Sequence, residues 1–136
     1  MEQLWDIKSE TENKLLEFGF VQILGHDGGM YKSYEWANNS MTFGLYYDRG
    51  YFDCHIRPTK EAKNSVTLFA LLKYLHHDLN FYDKELEEAK LWNTLPTADY
   101  FELFFSHYEK IEVFYQNYNA ESSDLVKQFL DTQNRQ

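Results

Sequence analysis

The chain is 136 residues long, and 43% of these residues are hydrophobic and 18% aromatic. This composition excludes a disordered polymer and fits one domain that spans residues 1–136. The formal net charge of −9 argues against binding to the phosphates of nucleic acid, which requires clustered lysine and arginine.

The N-terminal half predicts one helix followed by four strands. Apolar residues at three-to-four spacing indicate a helix over residues 4–18, and Gly19 follows where a left-handed C-terminal cap belongs. Alternating patterns bounded by turn residues then predict strands over residues 20–24, 30–36, 41–47 and 51–57. Asp48-Arg49-Gly50 is typical of a three-residue hairpin loop in which Gly50 supplies the positive φ, and Pro58 ends the last strand.

The C-terminal half predicts helices. Asn64 or Ser65 is expected to cap a helix from Val66 to about residue 79, and a short acidic helix is expected over residues 83–91. Thr97 is expected to cap a long helix over residues 98–118, and Ser122 or Ser123 a last helix before a frayed tail at 132–136. The predicted fold class is α+β: an N-terminal helix, a four-stranded antiparallel β-meander, and three to four C-terminal helices packed on one face of the sheet.

Cysteine usage and hydropathy constrain the compartment. Cys54 is the single cysteine, so no intramolecular disulfide and no cysteine-based metal cluster can form. The start of the sequence has no signal-peptide pattern, and the strongly apolar run 66–72 is too short to span a bilayer. We therefore expect a cytoplasmic protein that does not bind membranes, with Cys54 an inert buried thiol.

Motifs for metal, phosphate or nucleophilic chemistry are not recognisable. His76 and His77 are adjacent, so on a helix they point about a hundred degrees apart and do not share a metal easily. The glycine-rich segment 25–29 joins two predicted strands, whereas a phosphate-binding loop leads into a helix. We expect no metal, no cofactor and no enzymatic activity.

One face of the last predicted strand is polar. Strand alternation puts Phe52, Cys54 and Ile56 toward the core, and the opposite face carries a second set beside the preceding strand. Asp53 and His55 in that set could orient one another for acid–base work, but a solvated sheet face with a cross-strand polar ladder is the favoured explanation, because nothing nucleophilic or metal-like joins the pair. The candidate residues of this face are Tyr46, Tyr51, Asp53, His55 and Arg57, with Thr42 beside them.

Negative charge is concentrated after the predicted sheet. Residues 78–124 contain eleven acids and three bases, which gives this segment a net charge of −8. Such a surface, interleaved with aromatic side chains, suits a basic protein partner, while a solvated helix face that keeps the protein soluble is the simpler explanation. The candidate acids are Asp83, Glu85, Glu87, Glu88, Asp99, Glu102, Glu109 and Glu112.

The overall layout resembles the small acidic immunity proteins of bacterial toxin systems. The resemblance covers a first helix, an aromatic-rich meander containing Tyr47-Asp48-Arg49-Gly50-Tyr51-Phe52-Asp53-Cys54, and acidic helices with Asn93-Thr94-Leu95. It implies a non-enzymatic inhibitor that binds one cognate toxin and masks its active site, with acids engaging toxin Lys and Arg and with Tyr or Trp anchoring the contact.

Two alternatives to this binding function remain open. The first is a small enzyme or ligand-binding protein that uses the sheet face around Asp53, His55 and Arg57. The second is a homo-oligomeric subunit whose aromatic excess is buried at a symmetric interface.

Overall fold

The strands form one antiparallel sheet with consecutive order. The computed structural model describes residues 7–49, 51–61, 63–75 and 97–134. Its sheet has the order β1-β2-β3-β4-β5, and each strand pairs with its neighbour in sequence. The strands are β1 (Val21–Asp27), β2 (Tyr31–Ala37), β3 (Met41–Asp48), β4 (Tyr51–Pro58) and β5 (Val66–Thr67).

Five helices are described around this sheet. They are α1 (Ser9–Glu17), α2 (Leu68–Leu75), α3 (Thr97–Ser106), α4 (Tyr108–Gln116) and α5 (Ala120–Asn134). The predicted α+β class is therefore confirmed, with the N-terminal helix before the sheet and the other helices after it. The short helix predicted over residues 83–91 lies outside the described residues.

The predicted strand count of four is wrong, because the sheet contains a fifth strand. Val66 pairs with Ile56, and Thr67 pairs with His55, before the chain turns directly into α2. Helix α2 accordingly begins at Leu68 rather than at Val66. The Thr67 Oγ1 accepts the Ala70 N–H at 3.1 Å, so Thr67 caps the helix where Asn64 or Ser65 was expected.

The long helix expected over residues 98–118 is divided into α3 and α4 at His107, whose φ of −112° and ψ of 14° lie off the helical values. Backbone bonds from His107 N to Leu103 O and from Ile111 N to His107 O continue across the junction, so the two segments remain nearly continuous. The last helix begins earlier than expected, at Ala120, and is capped by Asn119, whose side-chain oxygen accepts the Glu121 N–H at 2.8 Å.

Positive φ angles were predicted at two glycines, Gly19 after the first helix and Gly50 in the β3–β4 loop. Gly19 follows α1 with φ of +83°, as expected for a left-handed cap. The β3–β4 loop differs from the prediction, because Asp48 pairs directly with Tyr51 and only two residues lie between them. Arg49 has a φ of +51° in this tight loop, where the prediction gave the positive φ to Gly50, which lies outside the described residues.

The core lies between one face of the sheet and the helices. Phe43 pairs with Ile56 and Leu45 with Cys54, and all four side chains are buried on the same face. Phe104 of α3 packs on Phe43 with ring centroids 4.4 Å apart. We call this covered side the inner face, and the opposite side, which carries the polar candidates of β4, the outer face. Cys54 is confirmed as a buried residue, and burial raises the pKa of its thiol well above the usual value.

Candidate functional site

The outer face brings together the polar candidates of β3 and β4. Tyr46 pairs with Asp53, Thr42 with Arg57, and Gly44 with His55. The predicted common face is therefore confirmed, since cross-strand partners point to the same side of a sheet. The side chains of this face form two separate hydrogen-bonded groups, which the alternation pattern alone does not predict.

The first group is centred on Glu35 of β2, which is not among the predicted candidate residues. The Tyr46 hydroxyl donates to Glu35 Oε2 at 2.5 Å, and Arg57 Nη2 lies 3.4 Å from Glu35 Oε1. The Glu35 and Arg57 side chains are only 16% and 24% exposed, so their ion pair is better shielded from water than a surface pair. Burial, and then the bonded Glu35 carboxylate, raises the pKa of Tyr46 well above its usual value.

Gly44 makes this group possible. Glu35 pairs with Gly44 across β2 and β3, and the Tyr46 ring lies over the glycine. A Cβ at position 44 would stand 2.7 Å from Tyr46 Cζ, which is well inside van der Waals contact. The missing side chain therefore leaves the path along which Tyr46 reaches back to Glu35.

The second group joins Asp53, His55 and Ser65. His55 Nε2 lies 2.6 Å from Asp53 Oδ2, and Ser65 Oγ lies 3.3 Å from His55 Nδ1. In the tautomer with its proton on Nε2, the imidazole donates to Asp53 and accepts from Ser65. This is the hydroxyl–imidazole–carboxylate order of acyl-transfer sites, although Asp53 remains 58% exposed, which weakens its bond to the ring.

Asp53, His55 and Arg57 share the outer face, as predicted, but their ion pairs divide them between the two groups. Arg57 pairs with Glu35, whereas His55 pairs with Asp53. Tyr46 connects the two groups through an edge-to-face contact with His55, with ring centroids 5.8 Å apart. Ser65 was expected as a helix cap, and its place beside His55 follows from the β4–β5 pairing that the sequence did not reveal.

Tyr51 lies apart from both groups, at the turn end of the outer face. It is 65% exposed and pairs with Asp48, which in turn pairs with the 47% exposed Tyr31 of β2. Two exposed tyrosines thus flank one carboxylate in a single row across three strands. Exposed tyrosine is enriched in protein interfaces, which makes this row a candidate contact surface.

The acidic candidates lie in the helix layer or outside the described residues. Asp83, Glu85, Glu87 and Glu88 belong to residues 76–96, which the structure does not describe. Asp99 and Glu102 lie on α3, and Glu109 and Glu112 lie on α4. Because α3 packs on the inner face, these four acids and the outer-face groups lie in different layers and form no common site.

The four described acids differ in their surroundings. Glu102 and Glu109 are exposed, whereas Asp99 and Glu112 are half-buried. Burial, and then the charge of Glu102, raises the pKa of Asp99. Burial, together with a hydrogen bond to Glu112, raises the pKa of Tyr108 to about 12. Within the described ranges, no Lys, Arg or His nitrogen lies within 4.0 Å of any of these four carboxylates.

None of three clefts that described residues line includes Asp53, His55 or Arg57. The largest of them, about 580 Å³, lies between the β2–β3 turn, the end of β4 and the α4–α5 junction. Tyr118 lines it, and the buried Tyr118 hydroxyl has no hydrogen-bond partner among the described residues. A second cleft, about 350 Å³, separates α1 from α3 and is lined by Glu10, Lys14 and Glu102.

The described part of the chain offers neither a metal-binding cluster nor a helix that could cross a membrane. No three His, Cys, Asp or Glu side chains in the described part of the chain approach closely enough to hold a metal ion. None of the described helices has the length and apolar character that crossing a bilayer requires. Comparison with protein-family models, with curated proteins and with solved structures finds no match to this chain.

Proposed function

We propose that this protein is a non-enzymatic binding module that neutralises a basic protein partner, in the manner of an immunity protein that masks the active site of a toxin. The supporting feature is the charge of its helix layer. The five described helices contain ten acids and four bases, a net charge of −6, whereas the five strands contain four acids and two bases. A partner that approaches the helix layer therefore meets most of the negative potential of the described residues.

The observation that carries the proposal concerns the four acids of α3 and α4, seen against the described part of the chain. These four acids have no described cation within 4.0 Å, and the charge of Glu102 contributes to the raised pKa of Asp99. Like charges left close together destabilise one another, and a cationic surface that docks on them removes the repulsion. Lys or Arg side chains of a partner would supply counter-charges that the described residues do not provide within 4.0 Å.

The test is binding to the product of the gene adjacent to the one that encodes this chain, measured by calorimetry at low and at physiological ionic strength. Replacing exposed carboxylates in Glu102→Gln/Glu109→Gln should weaken binding about 2- to 30-fold, because an exposed ion pair contributes roughly 0.2–1 kcal/mol. The dependence of binding on salt should also become shallower.

The matched control is Glu121→Gln/Asp124→Asn, which removes two exposed acids from α5. Under the proposal it retains more of the affinity than the α3–α4 variant does. Equal affinities for wild type and for Glu102→Gln/Glu109→Gln at low salt would show that these acids serve solubility only. No binding of the wild type at micromolar concentrations and low salt would count heavily against the proposal.

A second candidate function rests on the Ser65–His55–Asp53 group. Its order of hydroxyl, imidazole and carboxylate fits a hydrolytic acyl transfer, in which His55 would take the Ser65 proton as the hydroxyl attacks an ester carbonyl. The ester C–O bond then breaks, the alcohol leaves with that proton, and water activated by His55 hydrolyses the acyl-serine. Hydrolysis of p-nitrophenyl acetate tests it. Ser65→Ala and His55→Gln should both reduce the rate to that of buffer, whereas His26→Gln, a control on exposed β1, should not. A wild-type rate equal to that of His55→Gln excludes this candidate.

A further inference from the structure

The two edges of the sheet are built differently. Strand β5, at one edge, has two residues and leads directly into α2. Strand β1, at the other edge, has seven residues, all of them exposed. A very short edge strand resists pairing with another chain, and a long exposed one favours it. Among the described residues, β2 is the single strand that pairs with β1, so no described strand pairs with the edge of β1 that points away from β2.

Exposed apolar side chains gather at this edge. Val21, Ile23 and Leu24 of β1 are 57%, 52% and 41% exposed. Met30 and Tyr31, which follow in the turn and at the start of β2, are 69% and 47% exposed. An apolar group of this kind beside an open strand edge is typical of an interaction surface.

The edge has little of the usual protection. Residues 21–26 include no Lys, Arg, Glu, Asp or Pro, the residues that natural edge strands use against pairing. Two local features oppose pairing: a register shift between Gln22 and Leu24 leaves Ile23 as the extra residue of a bulge, and the Gln22 Nε2 donates to the Leu24 carbonyl at 3.2 Å, a bond that a pairing strand has to displace. The bulge lies toward the start of the strand, and residues 24–27 keep regular pairing with β2.

From this asymmetry we infer that β1 pairs antiparallel with β1 of a second copy, which joins two five-stranded sheets into one continuous sheet. A symmetric antiparallel pair makes each edge the complement of the other. Asp27 is the one charged residue of β1, and Lys32 holds its carboxylate at 2.6 Å. Pairing centred on Leu24 sets each Asp27 opposite Val21 of the other copy, so no like charges meet along the junction.

Charge also decides between a second copy and the basic partner. The uncharged segment 21–26 offers a cationic strand no counter-charge, whereas it suits an equally uncharged copy of itself. Two chains of net charge −9 repel each other at long range, so added salt should strengthen this contact. A basic partner on the helix layer has the opposite dependence, because salt screens attraction there.

Sedimentation of the full chain tests the inference. Over roughly 5 to 500 μM protein, the mean mass should rise from monomer toward dimer, as expected for a contact formed mainly by one strand and its neighbours. Between roughly 0.05 and 0.5 M NaCl the dimer should become about two- to tenfold tighter. Hydrogen exchange of the β1 amides should slow with protein concentration.

A matched pair of variants separates the edge from general effects. Val21→Lys/Leu24→Lys should weaken dimerisation at least about tenfold, since lysine blocks edge pairing. The control Val113→Lys/Leu125→Lys replaces the same residue types at 57% and 49% exposure on α4 and α5, and changes the net charge equally. The control should dimerise like the wild type, and circular dichroism should show both variants folded. A wild type that stays monomeric at the highest concentration and salt overturns the inference, as does an equal loss in the control or dissociation by salt.

Discussion

Asn38 provides the sharpest test of how the helix layer is held against the sheet. It lies in the β2–β3 turn, where its Oδ1 accepts the N–H groups of Ser40 and Met41 at 2.9 and 3.0 Å. Its Nδ2 donates to the Phe18 carbonyl after α1 and to the Tyr108 hydroxyl of α4, both at 3.2 Å. One half-buried amide thus connects a sheet turn to two helices.

Asn38→Ala removes four hydrogen bonds at once. A typical bond contributes about 0.5–1.5 kcal/mol net, and water replaces part of the loss at a half-buried position. We therefore expect the free energy of unfolding to fall by about 2–4 kcal/mol, measured by urea denaturation with an unchanged m-value. Asn39→Ala, at the exposed neighbouring position, is the control and should change stability by less than about 0.5 kcal/mol.

Two further variants assign the loss to its parts. Asn38→Asp keeps the acceptor for the turn amides but lacks the Nδ2 donor to Phe18 and Tyr108. A double-mutant cycle of Asn38→Ala with Tyr108→Phe should give a coupling of about 0.5–1.5 kcal/mol. The reasoning is refuted if Asn38→Ala costs no more than Asn39→Ala, since the amide would then contribute nothing to docking the layers.

Three other predictions concern single positions. The pKa of Asp99 is raised in the folded state, so the stability that protonated Asp99 contributes is present below its unfolded-state pKa and is lost as the pH rises through its folded-state pKa. Asp99→Asn should therefore be more stable than the wild type at pH 7, as measured by urea denaturation. This gain in stability should shrink at pH 3. Thr67→Ala should cost about 1 kcal/mol because the Ala70 N–H loses its cap, and Thr67→Ser should restore most of it. Gly44→Ala should cost about 1–3 kcal/mol because the new Cβ displaces Tyr46, and the same change in a Tyr46→Ala background should be neutral or stabilising. An equal cost of Gly44→Ala in both backgrounds would contradict that account.

The outer face was predictable because its signal has a period of two residues. Once Phe52, Cys54 and Ile56 are assigned to the core, the positions between them must point away from it. The fifth strand was not predictable in this way. Val66 and Thr67 begin an apolar run that continues into α2, so the helical pattern conceals two residues of extended chain.

The break at His107 was hidden for a related reason. Phe104, Tyr108, Ile111 and Tyr115 keep a spacing of four, three and four through the junction, and all are buried. A one-residue departure from helical angles does not alter that spacing, so periodicity alone predicts one helix.

The Glu35 contact depends on distance across the sheet rather than along it. Glu35 and Arg57 lie on β2 and β4, with β3 between them, and residues on such strands do not usually touch. They meet across Gly44 of β3, which has no side chain between them, and the Tyr46 hydroxyl that lies over this glycine binds the same Glu35 carboxylate. A glycine on the middle strand, β3, is the sequence signal for this contact. It becomes informative only when the pairing register of the three strands is also known.

Salt dependence distinguishes the two binding proposals because they use different layers of the molecule. The helix layer carries a net charge of −6 on its described helices, so an electrostatic contact there weakens as ionic strength rises. The β1 edge is uncharged over residues 21–26, and its contact between two like-charged chains strengthens under the same change. Val21→Lys/Leu24→Lys should abolish the second effect and leave binding on α3 and α4 in place. If instead that variant also lost the basic partner, the partner would dock on the sheet edge, and the acids of α3 and α4 would have to be reassigned to long-range steering.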